Sequence, residues 1–291
     1  MNEKYLITKI LNNNCMIIDM DGTEKLFLGK GVAFGKKNGE YCAVPSEVDK
    51  IFVIEEKRNV ADYQQLLDKN DETFVSFCED LIWELSRQVQ TELNERIHVS
   101  LIDHLACTIR RLRLGEQIIN PFLQETETLY RREFILAKKI CKALEKQYQI
   151  KIPEGETGFV AIHIHSAMYN GDLRDALKSN RICSRVLRFL ESELRITIDR
   201  RTLDCSRFMV HLTYLIKRIQ TGQTAETGLG EMADLIIHKY PESYRLSKET
   251  ARILNKEIKK AAISEEELAF LTMHIERLSQ SVGRSADNKT E

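Results

Sequence analysis

Two distant stretches of this chain repeat each other, and no other feature restricts its fold as strongly. "DHLACTIRRLRLG" (103–115) aligns without a gap on "VHLTYLIKRIQTG" (210–222). Further on, "PEGETGFVAIHIHSA" (153–167) aligns on "SEEELAFLTMHIERL" (264–278). The offsets, 107 and 111 residues, are close and the order is the same, so one duplicated module explains both. His104 matches His211, Ile109 matches Ile216, Arg111 matches Arg218, Gly115 matches Gly222, Glu156 matches Glu267 and His163 matches His274. The module is helical. "FVSFCEDLIWELSRQVQTEL" sets Phe74, Phe77, Cys78, Leu81, Ile82 and Leu85 at the period of one helix face, and nearly every segment from there to about Gln280 keeps that period. Two homologous helical bundles are expected, over 65–170 and 171–281, with a polar tail at 282–291.

The first 57 residues read differently. "YLITKIL", "CMIIDM", "EKLFL" and "KIFVI" are short, apolar and mostly β-branched, and "DGT" between the second and third carries the Asp-Gly signal of a tight hairpin. These four strands predict a small antiparallel sheet, joined to the bundles by a polar linker at 58–64. The fold class is therefore mainly α with a small N-terminal antiparallel β domain. So thin a sheet has little core of its own and should dimerise or lean on a neighbour.

Several classes are disfavoured. No apolar run approaches the ~20 residues of a membrane helix, and "MNEKYLITKI" lacks the apolar core of a signal peptide. The seven cysteines are scattered with no C-x-x-C, as expected for reduced thiols in a cytoplasmic protein without a zinc site. A net charge of −1 confines any nucleic-acid site to a local patch.

One such patch is evident. "GKGVAFGKKNG" (29–39) holds four of the 13 glycines and three lysines, with no acid. It fails as a nucleotide loop. A Walker loop ending in Gly35-Lys36 needs glycine at Lys30 and Ser or Thr at Lys37, and a strand rather than a helix follows. Between Glu24 and Glu40 there are four lysines (25, 30, 36, 37) and no acid, which suits a polyphosphate backbone.

The recurring histidines carry the other chemistry. A single one is most simply a buried, hydrogen-bonded core residue; four in register point further. Metal ligation is poorly served, because His163 and His165 of "HIH" face different sides of a helix and the second module has Glu276 in place of His165. Acid–base catalysis needs one cleft, which a duplicated scaffold does not explain. Reversible phosphorylation of a neutral imidazole fits best. Arg111 and Arg218 follow His104 and His211 by two helical turns, placed to stabilise a phosphate, although each also suits a solvated helix face. His98 and His165 have no counterpart and His238 lies outside the matched blocks, so these are read as structural or surface residues.

"ITKILNNN", "GKGVAFGKK" and "VDKIF", followed by the two modules, resemble the BglG/LicT/SacY-type transcriptional antiterminators, from the N-terminus to about residue 280. The wording "FGKK" and "HIHSA" is nearest the glucose-responsive branch. The resemblance implies a dimerising RNA-binding domain that grips a hairpin in the leader mRNA of a sugar operon and blocks terminator formation. Carried over, the RNA contacts are Lys9, Asn13, Asn14, Gly29, Lys30, Gly31 and Phe34, with Lys36 and Lys37 on the backbone. Relatives often have arginine at Lys30, and lysine lacks its planar fork. The resemblance further implies two phosphotransferase regulation domains, phosphorylated on His104, His163, His211 and His274 by the phosphocarrier protein and a sugar-specific permease. No enzyme activity, metal, cofactor or membrane insertion is expected. Two other readings compete. One is a DNA-binding activator with the same modules, which would open with helix-turn-helix segments. The other is a metal-dependent phosphohydrolase, which needs His-Asp pairs where this chain has only "DH" at 103–104.

Overall fold

The computed structural model describes residues 4–29, 31–43, 52–222, 230–258 and 263–287. They divide into two compact units, Met1–Ile119 with Ile135–Gly171 and Asn120–Phe134 with Asp172–Glu291.

The first unit opens with an antiparallel sheet of β1 (Lys4–Asn12), β2 (Cys15–Met20), β3 (Thr23–Leu28), β4 (Tyr41–Ala43) and β5 (Phe52–Ile54), in the order β4-β1-β2-β3-β5. Asp21 and Gly22 both take positive φ, 55° and 80°, the turn geometry that matches the twist of paired strands, and Met20 faces Thr23 in register. The sheet thus has five strands where four were expected. The extra one, β4, pairs Cys42 with Tyr5 and is too short to show a period. Alternation buries both faces of β2. Met16 and Ile18 join Ile7, Phe27, Val32 and Ala33 in a small core, while Cys15 and Ile17 are buried on the opposite side.

The helices follow directly. Residues 58–64, expected as a linker, are the opening turns of α1 (Lys57–Lys69), which packs on β3 and buries Val60, Tyr63 and Leu66. Three apolar side chains in a charged stretch gave too weak a period to be recognised. α2 (Glu72–Gln88) starts on Asp71, whose carboxylate accepts from the Thr73 and Phe74 amides at 2.8 and 3.3 Å. α3 (Ile97–Arg113) packs against α6 (Glu154–Met168). α6 buries Val160, Ala161, Ile162, His163 and Ile164 in succession, as a helix enclosed on all sides must. α5 (Arg131–Tyr148) contributes Ile135 onward to this unit.

The second unit contains α4 (Leu123–Leu129), α7 (Leu173–Leu194), α8 (Leu203–Thr221), α9 (Glu231–Lys239), α10 (Pro241–Ile258) and α11 (Glu265–Asp287). α7, α8, α10 and α11 share one core, with Leu187, Phe208, Leu254 and Ile275 at its centre. α8 stops at Gly222, whose φ of 70° forms a left-handed cap. α11 continues to Asp287, through the expected start of the polar tail; 288–291 lie outside the described residues.

α4 departs from the repeat. Sequence order places it in the first module, yet it packs on α7 and α8. Asn180 Nδ2 donates to Thr126 Oγ1 at 3.0 Å, and Arg200 Nε lies 3.7 Å from Glu125 Oε1. Its counterpart by order, α9, packs on α11 and α10. Among the described residues no helix is long and apolar enough to cross a membrane.

Candidate phosphorylation and RNA-contact sites

In the first module, the packing of α3 on α6 brings His104 against His163, with ring centroids 4.7 Å apart and planes tilted by 35°. Phe159, one turn before His163, meets the His104 ring at 6.1 Å. Below the pair lies Glu156, 1% exposed, whose Oε1 contacts His104 Nε2 and accepts from Thr108 Oγ1 at 2.7 Å. His163 is buried, and desolvation followed by the neighbouring His104 lowers its pKa to about 3. Its imidazole is therefore neutral at pH 7, the form that can attack phosphorus.

The second module repeats the arrangement on α8 and α11. His211 and His274 stack at 5.0 Å and 24°, and Phe270 stacks on His211 at 5.2 Å and 16°. Burial lowers His211 to about 4, assisted by His274 and Arg218, and also lowers His274, assisted by Arg277 and Arg207. Glu267 occupies the place of Glu156. Its Oε1 accepts from Arg218 Nε and Nη2 at 2.9 and 2.6 Å, while Oε2 lies 3.8 Å from His211 Nε2.

All four expected histidines thus come together as two pairs. The arginines do not behave alike: Arg218 reaches the carboxylate beside His211, whereas Arg111 Nε turns to Glu116 at 2.8 Å. Glu156 and Glu267 were overlooked as site residues, although the alignment of the repeats already matched them. His98, His165 and His238 sit in local contacts, with Glu79 Oε2, Tyr169 and the Asp234 carbonyl respectively. Among the described residues no group of three or more His, Cys, Asp or Glu could hold a metal ion.

The other expected site is a surface stitched from two turns. Asn13 and Asn14 join β1 to β2, and the loop after β3 folds onto them. Gly29 N donates to Asn14 O at 2.9 Å, Ala33 N to Asn13 O at 3.0 Å, and Gly31 N to Asn14 Oδ1 at 2.8 Å. Gly31 and Gly35 take φ of 69° and 71°, which lets the loop reverse direction here. Buried Val32 and Ala33 anchor the loop and leave the Phe34 ring 74% exposed. Lys9 and Lys37 are exposed, while Lys36 Nζ donates to the Val32 carbonyl at 2.6 Å. Lys25, counted in the basic patch, is instead paired with Glu55 at 2.7 Å. Lys30 lies outside the described residues. The loop also meets α2: Asn14 Nδ2 donates to Ser76 Oγ at 3.2 Å, beside a hollow lined by Asn12, Gly29, Glu79 and Asp80.

A strand-built platform with an exposed aromatic, followed by twin helical units that each pack two imidazoles over a buried carboxylate, defines a nucleic-acid-binding regulator with duplicated control modules. The chain belongs to the PRD family. Residues 79–167 and 184–278 match the PRD domain, and residues 5–61 match the CAT RNA binding domain. It is 30% identical over 275 residues to Protein GlcT of Staphylococcus saprophyticus, covering 94% of this chain and 97% of that one. It is 28% identical over 278 residues to the GlcA/glcB genes antiterminator of Staphylococcus carnosus, covering 95% and 96%. The crystal structure of GlcT CAT-PRDI superposes with a TM-score of 0.54 at 37% identity, covering 58% of this chain and all of that one. The resemblance drawn from the sequence is thereby borne out.

Proposed function

We propose that this protein is a transcriptional antiterminator that binds a leader-mRNA hairpin of a sugar operon and is switched by phosphorylation of His104, His163, His211 and His274. The observation that carries this reading is the packed pair of histidine rings over a buried glutamate, which recurs in both modules. Relatives named as antiterminators and as GlcT support it and favour the glucose-responsive branch. The phosphate donors are the phosphocarrier protein and a sugar-specific permease of the phosphotransferase system.

RNA contacts come from Lys9, Asn13, Asn14, Gly29, Lys30, Gly31 and Phe34, with Lys36 and Lys37 on phosphates. Glycine-turned backbone approaches the RNA, asparagine amides read base edges, and Phe34 stacks on an unpaired base. The working form is a homodimer. Leu203, Val210 and Tyr214 are exposed along α8, next to His211, a stripe suited to burial against a second copy. A phosphate there adds about −1.5 to −2 charges at the margin of that stripe.

A gel-shift of the full chain against candidate leader hairpins tests the reading. Phe34→Ala should weaken binding by about tenfold or more without changing stability, because the ring is exposed and stacking is worth about 1–3 kcal/mol per base. Indifference to every structured RNA offered would sink the function.

A further inference from the structure

The duplication aligns a third polar residue with the histidines, and in each module it lies against the same ring nitrogen. Glu156 and Glu267 are 1% and 4% exposed. Glu156 Oε1 contacts His104 Nε2, and Glu267 Oε2 lies 3.8 Å from His211 Nε2. Both Nε2 atoms are shut off from solvent and, among the described residues, close no regular hydrogen bond, the 3.8 Å approach at His211 being an ion-pair distance. Yet the His104 side chain keeps 24% of its surface and His211 keeps 15%. What these residues show to water is therefore some part other than Nε2. The rest of each carboxylate's surroundings differs, with Thr108 on one and Arg218 on the other. The approach to Nε2 is what the two modules retain.

We propose that Glu156 and Glu267 are positioning residues that hold Nε2–H of His104 and His211 inward, so that each accepts its phosphoryl group on Nδ1. This deepens the reading above and rests on it. A neutral imidazole has one N–H and one lone pair. Turning the N–H toward a buried carboxylate fixes the tautomer and leaves the lone pair on Nδ1. In the transfer that lone pair forms the Nδ1–P bond. The bond between phosphorus and the donor's phosphohistidine nitrogen breaks, and its electron pair stays on that nitrogen. The donor ring passes from phosphorylated imidazolium to neutral imidazole while the acceptor does the reverse, so no proton has to move. The positive charge gained by the acceptor ring is placed beside the carboxylate.

Nitrogen-15 NMR of the histidine-labelled full chain above pH 7 reads the tautomer directly, with His104→Asn and His211→Asn assigning the signals. His104 and His211 should show a protonated Nε2 and an unprotonated Nδ1. Treatment with phosphoramidate, a small donor that needs no partner protein, should place phosphorus on His104 Nδ1, seen by phosphorus–nitrogen coupling. Glu156→Gln keeps the shape of the side chain but removes its charge. It should slow that step about tenfold, the lower end of what an orienting carboxylate contributes to a metal-binding imidazole, and should weaken the Nε2–H preference. A protonated Nδ1 at either histidine, Nε2 as the main phosphorylated atom, or no modification of His104 would each overturn the proposal. Failure of phosphotransferase proteins to modify the chain would count against the regulatory reading and leave the tautomer result standing.

Discussion

The two histidine sites descend from one module, yet their buried carboxylates are satisfied in opposite ways. Glu156 takes a neutral hydroxyl from Thr108 and faces His104, with no Lys or Arg on it among the described residues; Glu267 holds the guanidinium of Arg218. Two differences of sequence accompany the contrast, the second at a position outside the described residues. The counterpart of Thr108 is Leu215, which offers Glu267 no hydrogen bond. The counterpart of Glu116, which draws Arg111 away, is the uncharged Gln223. The positive charge that a phosphorylated ring would gain therefore falls beside a hydroxyl-bonded carboxylate in the first module and beside one already paired with arginine in the second. Identical histidines can thus respond differently to the same modification because their shared carboxylate keeps different company.

The largest expected effect is on Arg218. Arg218→Met strands a buried carboxylate and should lower stability by about 3–5 kcal/mol in denaturant unfolding. Arg111→Met, at a half-exposed pair, should cost about 0–1 kcal/mol. Equal losses would break the comparison. Protonation comes next. His211 titrates near 4 when folded and near 6.5 when unfolded. The unfolded chain thus binds more protons in that window, so stability is full above about pH 6.5 and falls as pH drops toward 4. The loss is on the order of 3 kcal/mol at about 1.4 kcal/mol per unit. His211→Gln should flatten the slope, and an unchanged slope would place the titration elsewhere.

Thr108→Val removes a hydrogen bond to a buried carboxylate and should cost about 1.5–3 kcal/mol. The matching Leu215→Val, a loss of one methylene, should cost about 1 kcal/mol. The smallest effect sharpens the contrast. Glu116→Gln copies the second module and frees Arg111, with a stability change within about 0.5 kcal/mol. It should also speed phosphorylation of His104 if the freed guanidinium swings toward it.

Much of this was legible in the residues. The Asp-Gly turn announced its hairpin because that backbone geometry admits few other residues, and the repeat announced both histidine pairs because it compared the chain with itself. What escaped was set by packing. Val60, Tyr63 and Leu66 look like scattered apolar residues until β3 lies beneath them. β4 is three residues long and exists because β1 offers it an edge. Glu156 and Glu267 stood in the alignment in plain view, but a glutamate near a helix start usually serves the helix dipole. Only α3 over α6, and α8 beside α11, turn those two into the floor of a site.

The misplaced helix α4 has a practical consequence for anyone dissecting this chain. A cut after residue 170 honours the repeat but orphans Asn180 from Thr126, and Arg200 from Glu125. Each half would then expose a raw surface that the intact polypeptide never presents. Measurements on such halves would report the wound as well as the module.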